Sequence, residues 1–316
     1  MNPIVYRYDD PNAPVCSGTR GSLIALLNAC LVDGYGTGTT AKPPAGWSMP
    51  FANAARTQAC FTGHPRGTQH YLQVDEVTPT IAYTPNILGW ETMTSETAGL
   101  ITMVPPGNPL QAQTSNSANT TARPWLLIAD ELAFYLNIWN TQTTTAFTVY
   151  NNTSVLFFGD LLKNAPNDAH CCGLCSGINY GTIVGRTTQS PQSVGSTSVS
   201  YAFLYLSRDA AGNQPAFGVT PNGGGYPGSA AYSGQINVGT PYVPGGQLWL
   251  AKSYIPDKAA YSLRGWFPGL LNIGHPIPFS QFEQVDVSGV PYLSVRCSML
   301  GQGEGNYLIG LTDWRV

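Results

Sequence analysis

The sequence predicts a mainly β protein, sandwich- or barrel-like and short-stranded, with one N-terminal α-helix and long Gly/Pro-rich loops. The chain of 316 residues carries 35 glycines and 25 prolines, enough to interrupt most helices within a few turns. Short β-branched and aromatic runs recur between turn-forming clusters. Helical periodicity is convincing in one stretch only. Many short strands separated by such loops argue for a sandwich or barrel rather than a bundle.

The helix comes first. Apolar residues at Leu23, Leu26, Leu27, Cys30 and Leu31 fall on one face at helical spacing, which predicts a helix near 22–32. Ser17 or Ser22 is placed to cap its start, and Gly34 to close its end. Strands are expected at Gln58–Thr62 and Tyr71–Val74, then at Trp125–Ala129 and Ala133–Trp139, a hairpin about the Asp130-Glu131 turn. More follow at Phe147–Tyr150, Val155–Phe158, Val199–Leu206, Leu248–Ser253, Tyr292–Cys297 and Tyr307–Leu311. Gly301 to Gly305 reads as a hairpin turn between the last two. Two loops are long for a compact domain: 105–124, and 210–246 with its glycine run 223–225. The chain divides into an N-terminal half, 1–165, and a C-terminal half, 166–316, which can equally form one domain.

Charge is scarce: 14 Lys and Arg against 17 Asp and Glu, a net charge of −3, with charged residues only 10% of the chain. Basic residues so few and so dispersed make no nucleic-acid stripe. The aromatic content of 11% argues against ordinary disorder. No run is long and apolar enough for a membrane helix, and the first ten residues lack the apolar core of a signal peptide, so synthesis and folding in a cytoplasm are expected. Residues 210–251 contain no charged side chain at all. Tyr226, Tyr232 and Tyr242 punctuate this tract, and uncharged aromatic loops of that kind suit packing against other subunits.

Candidate chemistry is thin. His170 stands beside Cys172-x-x-Cys175, soft donors of the kind zinc takes, but a second ligand pair at matching interval is missing. A redox CxxC expects a helix after a strand, whereas this one reads as loop. Cys171, Cys172 and Cys175 are therefore read as buried thiols, or as candidates for a disulfide or a cross-link to another copy. With seven cysteines in all, at least one stays unpaired within the chain. The acidic pairs Asp9-Asp10, Asp75-Glu76 and Asp130-Glu131 are sequence neighbours, so strand or turn geometry points them apart or into water rather than across a sugar. His64 and His70 flank a turn with no third partner in sequence. The seven tryptophans are spread singly, as core residues are. Arg264 to Gly269 reads as a rigid turn presenting Trp266 and Phe267, either to the core or as a docking knob.

Three stretches resemble uncharacterised virion proteins of tailed bacteriophages and prophages. The first runs from Tyr6-Arg7-Tyr8-Asp9-Asp10 through Gly21-Ser22-Leu23 and Gly34-Tyr35-Gly36 to Lys42-Pro43-Pro44-Ala45-Gly46-Trp47. The second is Ala122-Arg123-Pro124-Trp125 with Ile128-Ala129-Asp130, Phe134-Tyr135-Leu136 and Phe158-Gly159-Asp160. The third is Leu263-Arg264-Gly265-Trp266-Phe267-Pro268-Gly269-Leu270 with His275-Pro276, Leu311-Thr312 and Trp314-Arg315. They span nearly the whole chain in order. Residues 171–175 and the glycine-rich tract after Ala210 depart from the family's pattern. The resemblance implies a non-enzymatic structural protein of the particle, with no catalytic residue, cofactor or metal. It would be present in several symmetric copies beside other virion proteins on the tail, neck or baseplate, without nucleic-acid or membrane partners. The alternatives are a capsid decoration protein, a carbohydrate-binding or depolymerising receptor-binding protein and, more remotely, an enzyme using the cysteine cluster.

Overall fold

A computed structural model describes residues 2–104, 107, 109–145, 153–177, 204–213, 250–256, 263–273, 279–296 and 306–315. In chain order its elements are β1 (Ile4–Arg7), α1 (Ser22–Asn28), β2 (Ser48–Ala52), β3 (Gln58–Thr62), β4 (Tyr71–Asp75), β5 (Asn86–Met93), β6 (Gly99–Thr102) and β7 (Leu110–Gln111). The central part supplies β8 (Trp125–Ala129), β9 (Ala133–Trp139), β10 (Thr153–Asp160), β11 (Leu162–Lys163) and β12 (Cys172–Gly177). Then come β13 (Leu250–Pro256), β14 (Leu263–Ile273), β15 (Gln284–Val287), β16 (Val290–Arg296) and β17 (Asn306–Gly310). The protein is mainly β, and its described residues form three antiparallel sheets and one short α-helix near the N-terminus. No helix among the described residues is long and apolar enough to cross a membrane.

The middle sheet has the order β1-β8-β9-β10-β12. Side chains alternate across a strand, so this sheet offers two faces, and both are apolar. Trp125, Leu127, Ala129, Phe134, Leu136, Ile138, Leu156 and Phe158 enter one core, with α1 and the sheet β2-β3-β4-β5-β6 against them. Leu126, Ile128, Ala133, Tyr135, Trp139, Val155 and Phe157 enter the other, against the sheet β11-β14-β17-β16-β15. Every residue of β8, β9 and β10 is buried, where antiparallel sheets more often keep one wet face. Aromatic rings bind the layers: Trp47 meets Phe134 edge-on at 5.5 Å, and Phe157 meets Phe267 at 4.9 Å. The halves 1–165 and 166–316 share hydrogen-bonded sheets, since β12 pairs with β10 and β11 with β14.

The hairpin about Asp130-Glu131 forms, with Leu127 opposite Leu136 and Ala129 opposite Phe134. Its carboxylates do not reach into water, as turn geometry suggested. Asp130 Oδ1 accepts hydrogen bonds from the Leu132 and Ala133 N–H groups, Arg315 pairs with the same carboxylate at 2.9 Å, and Glu131 pairs with Arg66. The 105–124 loop is held by its own chain in its described part. Leu110–Gln111 pairs with β5, Ala112 N–H bonds to Pro85 O, Thr114 N–H to Tyr83 O, and Arg123 bridges to Cys16.

The helix is shorter than its apolar stripe: α1 ends at Asn28, and Ala29–Asp33 continues as one π turn, with Gly34 beyond it at φ 77°. Neither serine caps it. Ser22 Oγ instead accepts a hydrogen bond from Ser17 N–H at 2.7 Å. The cap comes from Glu76, just past β4, whose carboxylate accepts from Gly21 N–H and, at 3.1 Å, from Ile24 N–H. Glu76 is only 1% exposed. Burial pushes its carboxyl up to about 7, from an ordinary value near 4.5, against the pull of the helix N–H donors. A raised carboxyl favours the folded state while protonated, so its contribution is full below about pH 4.5 and is lost as pH rises through 7. Glu76→Gln is therefore expected to gain on the parent protein by about 2–3 kcal/mol between pH 5 and pH 8. Urea unfolding of both proteins at the two pH values checks this, and a constant difference would refute it.

Candidate functional site

The chemistry-bearing residues of the cysteine cluster do not share a site. Strand alternation sends Cys172 into the first core and Cys175 into the second, beside Cys171, which directly precedes β12. All three are buried thiols. Burial pushes Cys171 and Cys175 up to about 12 and Cys172 well above the usual thiol range, which suppresses the thiolate that exchange chemistry needs. In this fold none of the three is presented to solvent for a cross-link. Tyr226, Tyr232 and Tyr242 lie outside the described residues. So do Cys297, His275, the 301–305 turn and the expected strand Phe147–Tyr150, along with the start of that at Val199–Leu206.

The segment 264–269 is not a turn. It lies within the eleven-residue strand β14, because Arg264 and Phe267 both have buried partners and Gly265 lets the strand approach the Leu162 carbonyl. Phe267 is 3% exposed and belongs to the second core, while Trp266 is half-buried, opposite Leu162.

What the fold does assemble is a group around His170. This residue sits in the turn before β12, held by a hydrogen bond from its N–H to Asp168 Oδ1 at 3.0 Å. Arg264, reaching over from β14, pairs with both Asp168 oxygens and donates to the His170 carbonyl at 3.0 Å. The imidazole faces His70, at the head of β4, and Glu91 in β5. One ligand atom from each of His70, Glu91 and His170 lies within 4.8 Å of the other two. His70 thus meets Glu91 through the β4–β5 pairing and His170 through the packing of the turn before β12, while His64 is not part of the group.

Each group has a defined state. The carbonyl of Thr68 can only accept, so His70 Nδ1, 3.2 Å away, is the nitrogen that carries the proton. His70 Nε2 is then an acceptor, facing Ser207 Oγ at 3.1 Å. Burial lowers the His70 imidazole to about 4, with nearby charges adjusting this, so it is neutral at neutral pH. Burial also opposes the charge on Glu91, but hydrogen bonds from Arg208 and Ser207 outweigh it and hold the carboxyl below its ordinary range. Arg208 grips Glu91 through Nε at 2.6 Å and Nη2 at 3.0 Å. His170 Nδ1 faces Glu91 Oε1 at 3.4 Å. It is buried and makes no hydrogen bond.

A small notch also touches His70, lined by Trp47, His64, Thr68, Leu132 and Asp160 among others, with room for about one water molecule and none for a substrate. Burial raises the Asp160 carboxyl, although Thr68 donates to it through both N–H and hydroxyl.

Fold and site together define the class: an antiparallel three-sheet β protein with a histidine–carboxylate cluster where the first sheet meets the entry to β12. Comparison with protein-family models finds no match, and comparison with curated proteins finds none.

Proposed function

We propose that this chain is a non-enzymatic structural component of a tailed bacteriophage particle, present in several copies on the tail, neck or baseplate beside other virion proteins. The observation that carries this reading is where the charge goes. In a chain so poor in charge, Asp75, Glu76, Arg123, Asp130, Glu131, Asp160, Asp168 and Arg264 are all buried. Asp130 with Arg315 and Asp168 with Arg264 serve as braces within the fold, while Glu131 meets Arg66, which stays exposed. Arg123 spends its guanidinium on Ser115, Asn116 and the Gln142 carbonyl. Eight of the 31 acidic and basic side chains are thus buried among the described residues, which thins an already sparse surface charge. Such a surface suits contacts between symmetric copies, whose cores are depleted in charged residues. The ordered resemblance along the chain points the same way, and Trp266 with the tyrosines of 210–246 are the contact residues this reading names.

Light scattering of the purified chain, with mass spectrometry and immunogold labelling of phage particles from the source culture, tests the proposal. Expected are an oligomer with a mass that is a multiple of 33.7 kDa and label at a fixed place on the particle. A chain that stays monomeric and is missing from the particles overturns it, as does release of reducing sugar from host polysaccharide by the purified protein.

A further inference from the structure

We infer that His70, Glu91 and His170 form a binding site for a divalent transition-metal ion of the zinc class, independent of any place in a particle. The donors would be His70 Nε2, Glu91 Oε1 and His170 Nδ1. Two imidazole nitrogens and one carboxylate oxygen are a donor set that suits zinc and its neighbours, and three protein ligands leave at least one position for water.

The geometry argues for it at three points. Donor atoms around a tetrahedral ion with bonds of ~2.0–2.1 Å lie roughly 3.3 Å apart. His170 Nδ1 and Glu91 Oε1 stand 3.4 Å apart without a hydrogen bond between them, the spacing of two ligands on one ion. Second, a buried imidazole nitrogen without a partner is costly, and an ion at this spot supplies the partner. Third, His70 has its Nδ1–H turned to the Thr68 carbonyl, the outer-shell bond that fixes the tautomer and frees Nε2 for a metal. Ser207, at 3.1 Å from Nε2, gives up that contact when Nε2 turns to the ion. Closing the rest of the triangle from at most 4.8 Å takes side-chain movements that together come to no more than about 1.5 Å.

Arg208 works against the ion. Its guanidinium occupies one lone pair on each Glu91 oxygen, leaving others free, but it places a fixed positive charge beside the site. The arginine is thus an affinity control, and it supplies a test that unfolding cannot imitate.

Metal-stripped protein titrated with zinc chloride by calorimetry, with elemental analysis after dialysis, is expected to bind one equivalent and to unfold at a higher temperature, a shift reversed by EDTA. His170→Ala is expected to weaken binding at least about 100-fold, while His64→Ala, outside the cluster, leaves it unchanged. Arg208→Gln is expected to tighten binding about tenfold. Zinc bound at well below one equivalent, affinity retained in His170→Ala, or affinity that does not rise in Arg208→Gln overturns the site.

Discussion

Arg264→Ala is expected to cost about 3–5 kcal/mol of folding stability, the range for breaking a buried ion pair from one side. The side chains of Arg264 and Asp168 are 1% and 3% exposed, and their closest approach is 2.7 Å. The guanidinium also donates to two main-chain carbonyls, those of His170 and Arg208. Alanine would leave a carboxylate charged and buried with its counter-charge gone, and would take the shared donor from both carbonyls. Arg264→Lys is expected to recover little, because a single ammonium cannot reproduce the planar fork that serves three acceptors. Removing both charges in Arg264→Leu/Asp168→Leu is expected to be milder than Arg264→Ala, since no uncompensated charge remains. Urea denaturation of the four proteins measures this. A loss below about 1 kcal/mol for Arg264→Ala would mean that the pair contributes no more than a surface contact does.

Gly159→Ala is expected to cost at least about 3 kcal/mol, through main-chain geometry and not through lost contacts. Gly159 lies in β10, in the middle sheet, at φ 137°, a conformation that side-chain-bearing residues rarely adopt. A Cβ there would overlap the Leu132 carbonyl oxygen and the Ala133 Cα across the strand pair. Both obstacles are backbone of the β8–β9 hairpin, so neither can step aside without moving the sheet. Gly212 is the matched control, with φ 85° and open space around its Cα. Gly212→Ala is expected to show the conformational penalty alone, about 1–2 kcal/mol. Equal losses at the two positions, measured by thermal or urea unfolding, would refute the steric account.

The parts of this fold that could be read in the sequence are those specified locally. The apolar stripe of Leu23, Leu26, Leu27, Cys30 and Leu31 marks the helix, because helical periodicity needs only near neighbours. The β8–β9 hairpin is equally plain, with two apolar runs about a short acidic turn. Strands β2, β5 and β6 escape the same reading. Pro50 within β2 and Gly89 within β5 look like interruptions, yet Pro50 sits in an edge strand, where a missing N–H is tolerated. Gly89 packs against Met103, leaving no room for a side chain. Arg264 to Gly269 looks like a turn for a related reason, since Gly265 and Gly269 answer to Leu162 and Trp314, far away in the chain. The β4–β5 pairing brings His70 beside Glu91, while Glu76 at the start of α1 and His170 beside that pair come from packing between elements distant in the chain, and no spacing rule along the chain encodes them.

The strand order of the middle sheet bears on how fast the chain can fold. Ile4–Arg7 finds its partner at Leu126–Ala129, so closing that ladder waits for more than a third of the chain to be synthesised and brought back. So distant a pairing closes more slowly than the β8–β9 and β9–β10 pairings of the same sheet, which join strands close in the chain. During that interval two apolar faces of one sheet are uncovered at once, each waiting for a different partner layer. Crowded newly made copies would be most prone to stick together at that stage, so for this protein the hazardous step in production is acquiring the two outer layers, well before any assembly of finished chains.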